Sequence, residues 1–181
     1  MNGKTPGFNV IGQLAALRRY ALSLVRNPDE AEDLVHDALV KAYERQSTFR
    51  TGANVRNWLM SILHNAHIDR LRQRHSQKRR HDAAAEVAET SVPANQDHSV
   101  RLTQLRNAFF ALPEEQREAL HLVAIEELSY QEAADTLGIP VGTLMSRVAR
   151  ARKRLRAFEQ NGATAPVTHL KIVGGTDDDK Q

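Results

Sequence analysis

One stretch limits what this chain can fold into more than any other: "LSYQEAADTLGIPVGTLMSRVARARKRLR", residues 128–156. Ser129 followed three residues later by Glu132 is a capping box, which opens a helix by satisfying backbone N–H groups that have no partner within it. Ala133, Ala134 and Leu137 then make a short apolar stripe. Gly138 takes the left-handed backbone that ends such a helix, and Pro140 suits the first turn of another. A short helix, a tight glycine turn and a longer helix form a helix-turn-helix, a motif whose second helix lies in the DNA major groove.

The front of that second helix is small and bare. Gly142 and Thr143 allow close approach to phosphates, whose charge suits the free N–H groups of a helix start. Met145, Ser146, Ala149 and Arg150 follow within reach of base edges. Arg147, Arg152, Lys153, Arg154 and Arg156 are expected mainly to neutralise backbone charge, which adds affinity without sequence information. Leu144, Val148 and Leu155 anchor the opposite face. The bland alternative is a solvated basic helix at a domain end; the capping box, glycine and proline together argue against a lone helix.

The rest of the sequence is also written for helices. Of 181 residues, 5% are aromatic, and Leu, Ala and Val recur at helical spacing among many Arg, Glu and Gln, which are good helix formers. An all-α chain is expected, with two small helical domains joined by a flexible linker, the second carrying the helix-turn-helix. There is no cysteine, which rules out disulfides, thiolate metal sites and cysteine nucleophiles. No apolar run approaches the roughly 18 to 20 residues needed to cross a bilayer, and the N-terminus lacks the order of a signal peptide. A cytoplasmic protein with no membrane insertion is expected.

Leu14, Leu17, Ala21 and Leu24 predict a first helix ending before Asn27. Asn27 is a good N-cap, Pro28 suits the next position, and Asp29 and Glu30 favour the positive end of the helix dipole. Leu34, Val35, Ala38, Leu39, Ala42 and Tyr43 form the predicted buried stripe of that second helix. Residues 47–54 read as a loop. A third helix starts near Val55, with Trp58, Leu59, Ile62, Leu63 and Ala66 inward and Asn65, Asp69 and Arg72 outward. Periodicity fades between His75 and His98, then resumes with Leu102, Leu105, Phe109 and Leu112, breaks at Pro113, and continues through Ala119, Leu120, Leu122 and Val123. The predicted domains are 10–78 and 99–158, with a linker at 79–98 and a disordered tail at 159–181.

Net charge is only +3, and its distribution says more. Acids crowd into 29–37, whereas 70–80 and 147–156 are basic without an acid. This implies a polyanion met in two places and a different partner in a third. A basic groove near an aromatic residue is one way to hold single-stranded nucleic acid, although Trp58 sits at an apolar helical position and reads as core. Asp33 and Asp37, four apart, could begin a metal site for a nuclease, but no further carboxylate motif completes it. His64 and His67 lack an evident third ligand and read as surface or DNA-facing. No metal and no cofactor are expected.

The order of parts resembles the extracytoplasmic-function group of bacterial sigma factors. The resemblance rests on "NPDEAEDLVHDALVKAYE", "NWLMSILHNAHIDRLRQR", "ALPEEQREALHLV" and "LSYQEAADTLGIPVGTLMSRVARARKRL", and covers residues 10–158. It implies a protein that is not an enzyme but binds core RNA polymerase, directs it to promoter DNA and helps open the duplex. By position, Glu32, Asp33, Leu34, Val35 and Asp37 resemble the segment that docks on the clamp region of the polymerase β′ subunit. Asn65, Asp69, Arg70, Arg72 and Arg74 are similar to the part that reads and melts the minus-10 element, assisted by the loop from Phe49 to Asn57. Gly142, Thr143, Met145, Ser146, Arg147, Ala149 and Arg150 correspond to the minus-35 contacts. The resemblance also implies an anti-sigma partner covering these surfaces. Two departures stand out: His36 replaces a frequent glutamine, and His64 a frequent arginine, with weakened or pH-sensitive DNA contact expected from the second. Away from the resemblance, the residues alone also allow a stand-alone helix-turn-helix regulator.

Overall fold

The computed structural model describes residues 9–50, 52–80 and 100–162. Within them run seven α-helices: α1 (Leu14–Val25), α2 (Pro28–Glu44), α3 (Val55–Arg80), α4 (Val100–Phe110), α5 (Glu114–Ala124), α6 (Tyr130–Leu137) and α7 (Val141–Gly162). The expected linker and tail lie largely outside the described residues. Two helices extend past the expected boundaries, α3 to Arg80 and α7 to Gly162.

The helix boundaries follow local chemistry. Asn27 Oδ1 accepts from the backbone N–H groups of Asp29 (2.9 Å) and Glu30 (3.1 Å), and Pro28 opens α2. This satisfies two donors that the helix itself cannot pair. At α6 both halves of the capping box are made, and Gly138 closes the helix at φ 63°. Pro113 separates α4 from α5, and its carbonyl accepts the N–H of Arg117 at 2.9 Å. The loop after α2 begins with a 3-10 turn at Gln46–Thr48.

α1, α2 and α3 pack on one another, as do α5, α6 and α7. Leu17, Leu34, Leu59 and Leu63 are almost fully buried in the first group, and Leu122, Leu144 and Val148 in the second. Truncating any of these leucines to alanine would cost about 2 to 5 kcal/mol in lost burial and cavity. The apolar stripes are shorter than the spacing predicts. Tyr43 is 80% exposed, and Leu102 and Leu105 are exposed to a lesser extent. Helical periodicity continues at these positions, but no neighbouring helix covers them fully.

The two helical groups also lie against each other. α1 packs on α5 and α3 on α6, so the buried side chains form one continuous cluster. Spacing within each helix carries no information about this second level of packing.

Candidate nucleic-acid and polymerase interfaces

The helix-turn-helix is formed by α6 and α7. Leu144, Val148 and Ala151 bury one face of α7, which turns the opposite face outward. Gly142, Thr143, Met145, Ala149 and Arg150 are exposed, with Met145 at 53%, and Ser146 is half-buried. A large apolar side chain open at the front of a basic helix suits contact with base methyl groups. No Cβ at position 142 would meet an atom within 4 Å, so internal packing does not require that glycine. Arg147 points elsewhere: its guanidinium pairs with Glu115 (3.1 Å) and Glu118 (3.6 Å) of α5.

The acidic and basic residues of the first three helices pair largely with each other. Arg70 Nη2 and Nε both donate to Asp37 Oδ2 (2.5 and 3.0 Å), Lys41 Nζ meets Asp69 (3.0 Å), Arg74 meets Glu30 (3.1 Å), and Arg18 meets Glu32 (2.8 Å). Asn65, Arg72 and Asp33 are exposed, while Leu34 and Val35 are core residues. The α2–α3 pairs join residues 28 to 44 positions apart, so no spacing rule reveals them. Partly exposed pairs of this kind are worth about 0 to 1 kcal/mol. They hold the side chains in place yet can be exchanged for contacts with a macromolecule.

Where α1 and α3 meet α5 and α6, buried polar groups line the seam. Arg117, 1% exposed, donates to the carbonyls of Ser23 and Leu24 at the end of α1 and of Leu112. Those α1 carbonyls have no partner within their helix, so a residue of α5 caps it. Burial, with Arg26 nearby, pulls the Arg117 pKa down to about 10, so it stays charged at neutral pH. Glu126, just after α5, is fully buried and accepts from Arg19 of α1, Arg56 of α3 and His121 of α5. Burial alone would raise its pKa, but hydrogen bonds from His121 and Arg56 outweigh it and hold the carboxyl at about 2.

The histidines of α3 correct an expectation. His64 and His67 are neither surface nor DNA-facing; both are buried against α5. His67 Nε2 lies 2.7 Å from Glu114, whose pKa is lowered chiefly by that hydrogen bond. His64 Nδ1 lies 3.4 Å from the Tyr20 hydroxyl and 3.6 Å from Glu118. Burial first, and His67 second, depress the His64 pKa to about 4, while burial and then Glu114 raise that of Glu118 to about 7. With His64 neutral, the contact between them is not a charge pair at neutral pH. Trp58 is half-buried and packs edge-on to Phe49, with ring centroids 5.3 Å apart.

A charged helix pair followed by a helix-turn-helix whose second helix has an open front and a basic far end is the arrangement of a DNA-binding protein built in two parts. Comparison with known proteins gives the family. Residues 13–77 match the model described as "Sigma-70 region 2", and residues 102–155 match "Sigma-70, region 4". The ECF RNA polymerase sigma factor EcfG of Rhodopseudomonas palustris is 36% identical over 150 residues, covering 83% of this chain and 82% of that protein. The ECF RNA polymerase sigma factor SigM of Mycobacterium tuberculosis is 34% identical, over 77% and 69%. Among solved structures, the sigma factor RpoE of Bartonella quintana, crystallised with the anti-sigma factor NepR, matches with a TM-score of 0.72 and 37% identity, covering 83% of this chain and 93% of that one. CnrH in complex with the cytosolic domain of CnrY matches at 0.59 and 26%, over 84% and 85%. The chain belongs to the ECF RNA polymerase sigma factors, the initiation factors that direct the polymerase to promoters. The stand-alone regulator is not favoured, because both sigma regions are present and in order.

Proposed function

We propose that the chain acts without enzymatic activity of its own, as a dissociable subunit in the cytoplasm, and that its two parts divide the work. Residues 10–78 dock on core polymerase and engage the minus-10 element; residues 99–158 hold the minus-35 element as duplex; residues 79–98 join them. Asp33 is the exposed carboxylate of the polymerase-facing helix α2, with Glu32 and Asp37 released from Arg18 and Arg70 on docking. Leu34 and Val35 contribute by shaping α2 from beneath. Asn65 and Arg72 meet the minus-10 strand, joined by Asp69, Arg70 and Arg74 once their intramolecular partners exchange.

The open front of α7 is the observation that carries this reading. Gly142, Thr143, Met145, Ala149 and Arg150 form one exposed face on a helix whose other face is locked into a core. Ser146 lies at its edge, and Arg147 orients α7 from behind. An anti-sigma protein is the further partner, since the Bartonella quintana relative was crystallised with one. In-vitro transcription with core polymerase and a promoter library tests the reading: the chain should impose start-site preference, and its absence would overturn the assignment.

A further inference from the structure

We infer that Met145 reads the C5-methyl group of a thymine in the minus-35 duplex, which makes it a specificity-determining residue alongside Arg150. The inference rests on the promoter-directing reading above and names a base that the open face of α7 selects.

Val141, Met145 and Ala149 are four residues apart and fall on one row of α7. All three are exposed, Val141 at 39% and Met145 at 53%. Side chains of a helix lean towards its N-terminus, so Met145 stands over the turn that holds Gly142. With a bare glycine beneath it and alanine a turn further on, the methionine is the longest group of the row. The row borders Gly142, Ser146 and Arg150, so this apolar strip continues the face assigned to DNA and is not a separate surface.

The chemistry around it narrows what Met145 can meet. The Ser146 hydroxyl donates to the Thr143 carbonyl at 2.8 Å, and Arg147 is held from behind by Glu115 and Glu118. Two polar side chains at this front are therefore engaged within the protein, and Arg150 supplies the charged donor. Base-pair edges in the major groove present hydrogen-bonding groups and one apolar substituent, the thymine methyl. Opposite an amino or keto group, Met145 would strip away water without replacing its hydrogen bond, which is unfavourable. Opposite a thymine methyl, both partners leave water with nothing polar stranded. The same side chain thus favours thymine and disfavours a guanine or cytosine at that step. A flexible thioether suits the task, since it adapts to the exact place of the methyl group.

Promoters selected from a library by the full-length chain with core polymerase should carry thymine in one strand of the minus-35 element. Replacing each such thymine singly by deoxyuridine removes the methyl group alone. At one position the replacement should weaken promoter binding by the complex of chain and polymerase about fourfold, the effect of burying one group of that size. Met145→Ala should bind the two DNAs alike at that position, and Met145→Leu should keep most of the discrimination. Neither should move the melting curve, because Met145 is 53% exposed in the free chain. Arg150→Ala should weaken binding yet still distinguish thymine from deoxyuridine, which separates this contact from that of the guanidinium. Indifference of the wild type to every replacement would overturn the inference, as would a discrimination that survives in Met145→Ala. A chain that imposes start-site preference but is blind to the methyl groups keeps the sigma reading and loses this contact; one that imposes no preference loses both.

Discussion

Glu132 closes two structures with one carboxylate: Oε2 accepts from the Ser129 N–H (2.9 Å) and hydroxyl (2.7 Å), while Oε1 accepts from Asn57 Nδ2 of α3 at 2.5 Å. The residue that starts the helix-turn-helix thus also fixes it to the N-terminal helices. Its pKa is lowered, first by the Ser129 side chain and then by the Ser129 backbone. Glu132→Ala should cost about 1 to 2 kcal/mol, the sum of a lost cap and a lost cross-seam bond. Asn57→Ala should cost less, and the double variant less than both together. Urea denaturation of the four proteins measures this cycle, and strict additivity would show the 2.5 Å contact to be energetically idle.

Gly138 is the second fixed point of the motif. Its φ of 63° ends α6, yet a Cβ there would meet no atom within 4 Å. The cost of Gly138→Ala is therefore one of backbone conformation rather than collision, about 1 to 2 kcal/mol. Gly138→Asn should cost less, since asparagine tolerates this region better. A thermal-melting series of Gly, Asn and Ala in that order checks it. Gly142→Ala, at an exposed helical position with φ outside the left-handed region, should hold or raise stability and change DNA affinity alone.

What could be read directly was local. The Asn27 cap, the Ser129–Glu132 box, the Gly138 turn and the inward stripes of α1, α3 and α7 depend on residues within a few positions of one another, and that is the range over which sequence patterns act. The exposure of Tyr43 depends on what neighbouring helices leave uncovered, and the burial of His64 depends on α5, some fifty residues on. The same applies to Arg117, Glu118 and Glu126. In sequence they are ordinary charged residues of an amphipathic segment, and only the approach of a second helical group makes them interior. Arg147 shows the limit inside the site itself: its place in a basic run suggests phosphate contact, whereas its position on the α5 side of the helix gives it two glutamates.

Glu118 gives the seam a pH dependence of definite sign. Its pKa is raised from 4.5 to about 7, by burial first, so the folded state favours the protonated carboxyl. Stability is fully present below pH 4.5, declines as pH rises to 7, and stays reduced above that. Glu118→Gln removes this cost, and the variant should exceed the wild type at pH 8 by up to roughly 3 kcal/mol, shrinking towards nothing near pH 4.5. His64 has the opposite sign: its pKa falls from 6.5 to about 4, so stability is lost as pH drops through that window. Because His64 lies 3.6 Å from Glu118, the two titrations are coupled, so the comparison is repeated in a His64→Asn background. Melting curves between pH 4.5 and 9 read it, and a constant offset would show that Glu118 does not titrate in this window.

Three arginines of α7 should fail in three different ways. Arg150 is exposed on the open face, so Arg150→Ala should cost about 1 to 3 kcal/mol on the preferred minus-35 duplex and much less on unrelated DNA. Arg154, exposed further along the basic end, has the position of a phosphate contact. Arg154→Ala should weaken all duplexes alike and reduce the salt slope by about one. Arg147 is tied to Glu115 and Glu118 behind the recognition face, so Arg147→Ala should lower the stability of the helix-turn-helix before it alters sequence preference. Duplex titrations at several salt concentrations, run beside denaturation curves, separate the three. If Arg147→Ala relaxed base preference at unchanged stability, α7 would have to turn on its axis when it meets DNA, and the exposed face assigned here would not be the one that reads the bases.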